Sequence, residues 1–122
     1  MKISELIEQV AEEKPNAFSL DKLVRYINEI EADVQEELDI PLAARVEYKV
    51  YEDCKDTELI VKSPYSRLYR SFLKAMIDYA NEEYQSYENN QAQHIADYHE
   101  WIDNLVRTGQ TRRMPTRFKN VW

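Results

Sequence analysis

The first forty residues place apolar side chains at the spacing of two amphipathic helices. The first set is Ile3, Leu6, Ile7 and Val10. This i, i+3, i+4, i+7 spacing predicts a helix that runs to about Glu13, where Lys14-Pro15 interrupts the pattern. Ser19 is a suitable N-cap for a second helix of about five turns. Its stripe consists of Leu20, Leu23, Val24, Ile27, Ile30, Val34 and Leu38, and Pro41 ends it.

Between residues 45 and 61 the period changes to two, which is typical of strands. Val46, Tyr48 and Val50 alternate with polar neighbours from Arg45 to Tyr51, and residues 58–61 form a second, shorter candidate. The polar residues 52–57 predict the loop of a β-hairpin that leans on the helices, because an isolated two-stranded hairpin is marginal in water.

Two further helices are predicted after the hairpin. Ser63 is placed as the N-cap of the third and Pro64 as its first residue. Its apolar face is Leu68, Tyr69, Phe72, Leu73, Met76, Ile77, Ala80, Tyr84 and Tyr87. Asn89-Asn90 is the predicted turn into a fourth helix that starts near Gln91 and ends at Thr108-Gly109. The fourth stripe is Ala92, Ile95, Tyr98, Ile102, Leu105 and Val106, with Trp101 beside it. So short a turn predicts antiparallel packing.

These patterns predict a mainly α fold, a small bundle of about four helices with two long antiparallel helices and a short β-hairpin. Residues 1–108 form the helical domain with the hairpin at about 45–61, and residues 109–122 form a C-terminal arm. Core packing is expected for Tyr69 and Tyr84. Edge positions that meet a neighbour suit Tyr65, Tyr79 and Tyr87 equally well.

Charge is distributed unevenly along the 122 residues, whose formal net charge is −7. Residues 107–122 contain five basic and no acidic side chains, whereas the preceding 106 residues carry 23 acidic and 11 basic ones, a charge of −12. The body therefore repels phosphates and the arm attracts them. A single glycine argues against glycine-dependent hairpin sandwiches and phosphate loops. The sequence predicts neither a signal peptide nor a membrane span.

Few residues suggest catalysis or metal binding. His94 and His99 are five positions apart, about 140° around a helix, so we expect exposed or capping histidines in preference to a metal site. The acidic residues near 52–58 lack the alternating ligands and central glycine of an EF-hand, which favours a solvated loop. Cys54 is the only cysteine, and its acidic neighbours disfavour a nucleophile. No catalytic, cofactor-binding or metal site is predicted, and an enzyme is the least favoured class.

The arm mixes basic and large apolar side chains, which suits a segment that orders on a partner, whereas a frayed terminus is the alternative. The predicted partner-binding residues are Arg107, Arg112, Arg113, Met114, Arg117, Phe118, Lys119 and Trp122.

Several segments, in this order, resemble the head-tail connector (adaptor, head completion) family of tailed bacteriophages. Residues 23–31 read Leu-Val-Arg-Tyr-Ile-Asn-Glu-Ile-Glu, and residues 57–69 read Thr-Glu-Leu-Ile-Val-Lys-Ser-Pro-Tyr-Ser-Arg-Leu-Tyr. Residues 73–79, Glu82-Glu83 and the Tyr-Glu-Asn-Asn at 87–90 continue the match. In the family, a strand leads through proline and tyrosine into two long helices, and a Tyr-Asn-Asn type turn precedes the last one.

The resemblance implies a structural virion protein that forms a ring, commonly of twelve subunits, beneath the portal and joins the head to the tail. Implied partners are the protein itself, the portal protein and a tail or tail-completion protein, while DNA passes through the channel without specific binding. It implies no cofactor, no membrane contact and a location at the head–tail interface, after synthesis in the host cytoplasm.

Two other classes remain open. One is a phage or prophage regulatory protein whose acidic body covers a host or phage protein partner. The other is a nucleic-acid-binding module that uses the arm as a charged, stacking segment.

Overall fold

The computed structural model describes residues 1–109, which build five helices around one apolar core. The helices are α1 (Ile3–Glu13), α2 (Leu20–Glu37), α3 (Tyr51–Cys54), α4 (Arg67–Ala80) and α5 (Tyr84–Arg107), with a 3-10 turn at Leu42–Ala44. The predicted mainly helical class is confirmed. Most of the predicted arm, residues 110–122, lies outside the described residues.

The first two helices follow the sequence pattern closely. The α1 stripe of Ile3, Leu6, Ile7 and Val10 is buried, and the helix ends at the predicted residue. At the start of α2 the Ser19 hydroxyl accepts a hydrogen bond from the Lys22 N–H at 3.2 Å, as expected for an N-cap. The helix ends at Glu37, ahead of Pro41, because Asp39 adopts a left-handed φ of 58° that a helix cannot continue.

The predicted first strand is extended, but its neighbour is a helix. The Val46 N–H donates to Gln35 Oε1 at 2.8 Å, and Gln35 Nε2 donates to the Val46 carbonyl at 3.1 Å. About two turns earlier on α2, Asn28 exchanges the same pair of bonds with the backbone of Tyr48. A side-chain amide offers one donor and one acceptor side by side, as a peptide of a neighbouring strand does. We call these two residues the amide clamp and residues 45–50 the extended segment.

The predicted hairpin is therefore wrong. α3 (Tyr51–Cys54) occupies the first half of the predicted loop, and Glu58 forms an isolated antiparallel bridge with Lys2 at the start of the chain. The Leu59 N–H donates to the Met1 carbonyl at 2.9 Å, and the Met1 ammonium lies 2.9 Å from the Glu58 carboxylate. Both strand candidates thus find partners, although not each other, because the amide clamp and the chain start satisfy their backbone groups.

The two long helices are antiparallel, as predicted, but both of their inner boundaries are shifted. Contacts pair Asp78 with Asn90 and Ser71 with Asp97, so residues later in α4 meet residues earlier in α5. α4 begins at Arg67 after Ser66, and not at Ser63-Pro64. The connecting turn comprises residues 81–83, with Glu82 at a φ of 60°. The predicted end of α5 is confirmed, since Gly109 adopts a left-handed φ of 71° after Thr108.

A buried carboxylate explains why the turn is not at Asn89-Asn90. Asp78 Oδ2 accepts hydrogen bonds of 2.7 Å from Ser86 Oγ and from Asn90 Nδ2, and Oδ1 lies 2.5 Å from Lys14 Nζ. Asn90 must be helical to point at Asp78 together with Ser86, one turn earlier. Ser86 and Asn90, polar residues of types that favour turns, here bind α5 to α4 through Asp78.

The shifted turn moves several aromatic side chains relative to the prediction. Tyr69 is fully buried as expected, whereas Tyr84 is 56% exposed because it opens α5 and is not part of the α4 stripe. Trp101, expected beside the stripe, is only 4% exposed, and Ile95 is 48% exposed. The buried face of α5 includes Asp97, whose carboxylate accepts hydrogen bonds from Ser71 and Gln93. Because Asp97 is polar, the apolar pattern of the sequence does not identify this face as the buried one.

Candidate partner-binding groove

Only one of the predicted partner-binding residues falls in the described part of the chain. Arg107 is exposed and is the last residue of α5. The other predicted residues, Arg112, Arg113, Met114, Arg117, Phe118, Lys119 and Trp122, lie outside the described residues.

A groove of about 340 Å³ separates α2 from α5. Residues of α2 form one wall and residues of α5 form the other. Its lining is Asp33, Glu36, Glu37, Gln91, His94, Ile95, Tyr98 and His99. We call it the α2–α5 groove.

The α2 wall of the groove is acidic. Asp33, Glu36 and Glu37 are three and four positions apart, a spacing that brings side chains to one helical face. Glu36 pairs with Arg45 at 2.8 Å, which ties this wall to the start of the extended segment. Burial raises the pKa of Asp33, an effect that the nearby His94 partly offsets.

The α5 wall is aromatic. His94 Nδ1 lies 3.0 Å from the Leu68 carbonyl, an acceptor to which Nδ1–H donates, and burial lowers the pKa of His94. Its ring packs on Phe72 and Tyr98, with centroids 5.2 and 5.8 Å away. The Tyr98 hydroxyl donates to the Asp33 carbonyl at 3.2 Å and so bridges the two walls.

This pairing of carboxylates with rings suits a basic side chain. A guanidinium group can bind a carboxylate through its N–H groups while its plane lies on an aromatic ring. Within residues 1–109, no three His, Cys, Asp or Glu side chains are grouped so that they could hold a metal ion. His94 is half-buried and His99 exposed, and both line the groove.

A second depression of about 260 Å³ lies at the other side of α5. It is lined by Leu38, Ile60, Val61, Lys62, Ser63, Tyr65, Trp101, Asn104 and Leu105. Trp101 contributes to this wall although the sequence pattern placed it beside the core stripe. Asp97 and Trp101 are four positions apart and therefore share one helical face. This spacing was the signal in the sequence that could have placed Trp101 on the buried face of α5.

A buried carboxylate was missed by the sequence analysis. Glu31 is 1% exposed and accepts hydrogen bonds from the hydroxyls of Tyr48 and Tyr69 and from the Ile60 N–H. Burial raises its pKa, and these three hydrogen bonds oppose the shift. Neither described groove is lined by Glu31, so we assign the cluster to structure: it joins α2 to the extended segment, residue 60 and α4.

Cys54 is buried, as α3 packs it against the core. Burial raises the pKa of its thiol, and the carboxylates of Asp53 and Asp21 raise it further. A thiol with a raised pKa is a poor nucleophile.

The chain matches no protein family model, no curated protein and no solved structure. Among the helices of residues 1–109, none combines the length and the apolar character that crossing a bilayer demands.

Proposed function

We propose that this protein is a head-tail connector of a tailed bacteriophage, a structural virion protein that forms a ring beneath the portal and joins the head to the tail. The observation that carries the proposal is the ordered set of segments from residue 23 to residue 90 that resemble this family. A long antiparallel helix pair and an acidic exterior support it.

The acidic exterior suits a channel through which DNA moves. Of the acidic side chains in the described residues, only Glu31, Asp78 and Asp97 are buried. The remainder lie exposed or half-buried at the surface, where they repel phosphates. A channel wall with this charge lets DNA slide without holding it.

The α2–α5 groove supports a role for the basic arm in ring assembly. The arm contributes Arg112, Arg113, Arg117 and Lys119, and the groove presents carboxylates beside rings. An arm from an adjacent subunit would find complementary charge there, and an acidic surface of the portal would offer similar chemistry.

The test compares two variants in a portal pull-down and in a ring-assembly assay. Deletion of residues 110–122 should abolish portal binding with the helical circular dichroism spectrum unchanged. The Asp33→Asn/Glu36→Gln variant should impair ring assembly as the deletion does if the arm binds an adjacent subunit. Full portal binding by the truncated protein would contradict the proposed role of the arm.

A regulatory protein of a phage or prophage, which binds a host or phage protein partner, is the second candidate. The charge of −12 on residues 1–106 favours it, because such a surface can cover a basic partner. A monomer that ignores the portal and retains a basic host partner would support this alternative.

A further inference from the structure

The extended segment has one satisfied edge and one open edge. In an extended chain, the N–H and C=O groups of successive residues point to opposite sides. Those of Val46 and Tyr48 point to α2 and bind the amide clamp. Those of Glu47 and Lys49 therefore point away from α2, and no atom of residues 1–109 forms a hydrogen bond with them. Both residues are exposed.

This open edge carries exposed apolar side chains. Val46 is 52% exposed and Val50 is 44% exposed, while Tyr48 between them is 7% exposed. Leu42, in the preceding 3-10 turn, is 81% exposed. An edge with unpaired backbone groups and flanking apolar side chains is a template for another strand.

We propose that the open edge of the extended segment pairs, antiparallel, with the same segment of a second copy of this chain. The register places Tyr48 opposite Tyr48. Glu47 then lies opposite Lys49 of the second copy, and the two residues exchange both backbone hydrogen bonds. The two-fold axis repeats the pair, so four hydrogen bonds and two Glu–Lys contacts form.

The charges select this register over its neighbours. Opposite-charge pairs directly across two strands stabilise a sheet, and like charges destabilise it. With Glu47 opposite Glu47, two carboxylates face each other and Arg45 faces Lys49. With Glu47 opposite Arg45, Lys49 faces Ala43, which belongs to the 3-10 turn and is not extended. Only the Tyr48-centred register pairs opposite charges within the extended residues and also places Val46 against Val50.

A two-fold contact closes at two copies, whereas a ring needs a head-to-tail contact. The pairing is therefore separate from the proposed ring interface and describes the free protein. Its failure would leave the connector proposal untouched, because portal binding is measured independently.

Sedimentation velocity over a range of protein concentrations tests the pairing. The wild type should show reversible exchange that doubles its mass, and Lys49→Glu, which sets Glu47 against a second carboxylate, should abolish it. The charge-swapped Glu47→Lys/Lys49→Glu variant should restore it. Lys22→Glu, a charge reversal on α2, is the control. A wild type that never doubles in mass, or a charge-swapped variant as impaired as Lys49→Glu, would overturn the proposal.

Disulfide trapping tests the register itself. Residues 46 and 50 face each other across the axis, so the Val46→Cys/Val50→Cys variant should form a disulfide-linked dimer in a glutathione redox buffer, with peptide mapping that joins residue 46 to residue 50. Val46→Cys alone should form none, since residue 46 lies far from its own copy. A dimer linked 46 to 46 would overturn the register. Circular dichroism of every variant verifies the fold.

Discussion

At the scale of single residues, the core is unusual in burying acids in specific hydrogen-bonded sites. Asp78 and Glu31 illustrate opposite outcomes. For Asp78, burial raises the pKa, but hydrogen bonds from Lys14, Ser86 and Asn90 together outweigh it, and the pKa of Asp78 is lowered. For Glu31, burial prevails over its three hydrogen bonds, and the pKa of Glu31 is raised. The difference follows from the neighbours, because Asp78 faces an ammonium group and Glu31 faces neutral donors.

The raised pKa of Glu31 predicts a specific pH dependence. In the native state Glu31 keeps its proton to a higher pH than it does in the unfolded chain. The protein therefore loses stability as the pH rises from the ordinary glutamate pKa of 4.5 through the native pKa of Glu31. Below that window the group contributes no penalty. We expect Glu31→Gln to lack this loss, so that its free energy of unfolding gains on the wild type as the pH rises from 4 to 7.

Urea unfolding at several pH values measures this effect. Glu29→Gln, an exposed position on the same helix, is the control and should track the wild type at every pH. A constant difference between Glu31→Gln and the wild type across the range would contradict a raised pKa. Glu31→Ala should cost about 2–4 kcal/mol at pH 4, because it leaves a cavity and two buried hydroxyls without their acceptor. Its cost relative to the wild type should fall as the pH rises, since it also lacks the titrating carboxyl.

At the scale of elements, the amide clamp replaces a partner strand. Each clamp residue offers a donor and an acceptor to one residue of the extended segment. Asn28→Ala should leave the Tyr48 N–H without an acceptor, and hydrogen exchange at that amide should accelerate more than tenfold, consistent with a loss of about 1.5 kcal/mol or more.

Hydrogen exchange followed by NMR resolves the individual amides. The Val46 amide, held by Gln35, should change less in Asn28→Ala and more in Gln35→Ala, so each variant is the control for the other. Equal acceleration at both amides in both variants would show that the segment opens as one unit, contrary to two independent contacts.

The connection between α4 and α5 makes a second prediction at this scale. Glu82 has a φ of 60°, which glycine adopts without strain, so Glu82→Gly should be neutral or stabilise the protein by up to about 1 kcal/mol. Asn89 lies in the second turn of α5, inside the helix, where glycine costs roughly 0.5–1 kcal/mol. Chemical denaturation of both variants compares the two sites, and a stabilising Asn89→Gly with a destabilising Glu82→Gly would place the turn at residue 89 instead.

Local pattern predicted much of this architecture, and tertiary polar contacts account for what it missed. Apolar stripes identified α1 and α2 almost to the residue, since both helices bury a single regular face. The hairpin prediction was wrong because the side chains of Asn28 and Gln35, on α2, form the hydrogen bonds that a partner strand would form. The local sequence pattern does not indicate this role. The prediction of a turn at Asn89-Asn90 was wrong because the contacts of Asp78 with Ser86 and Asn90 form only in the folded chain.

The candidate site was predictable only in part. The acidic residues of α2 and the basic composition of the arm are visible in the sequence. The α2–α5 groove is not, because it requires His94 and Tyr98 to face α2, which depends on the rotation of α5 set by Asp97 and Trp101. Sequence alone showed complementary charges without showing that a concave surface presents one of them.

At the scale of the whole molecule, the described residues form an acidic helical body with three kinds of surface. One is the α2–α5 groove, one is the open edge of the extended segment, and one is the depression beside Trp101. The carboxylates and rings of the groove and the unpaired backbone groups of the open edge are features that suit contacts with other protein chains. The connector proposal gives the α2–α5 groove and the depression beside Trp101 subunit, portal or tail partners, whereas the open edge is proposed to pair two copies of the free protein.

The central claim is tested most directly by light scattering coupled to gel filtration, with the protein alone and mixed with the portal of its phage. We predict that the portal peak gains mass in multiples of 14.6 kDa, whether the free protein is a ring or joins the portal subunit by subunit. A portal peak of unchanged mass, with this protein eluting separately, would contradict the connector function.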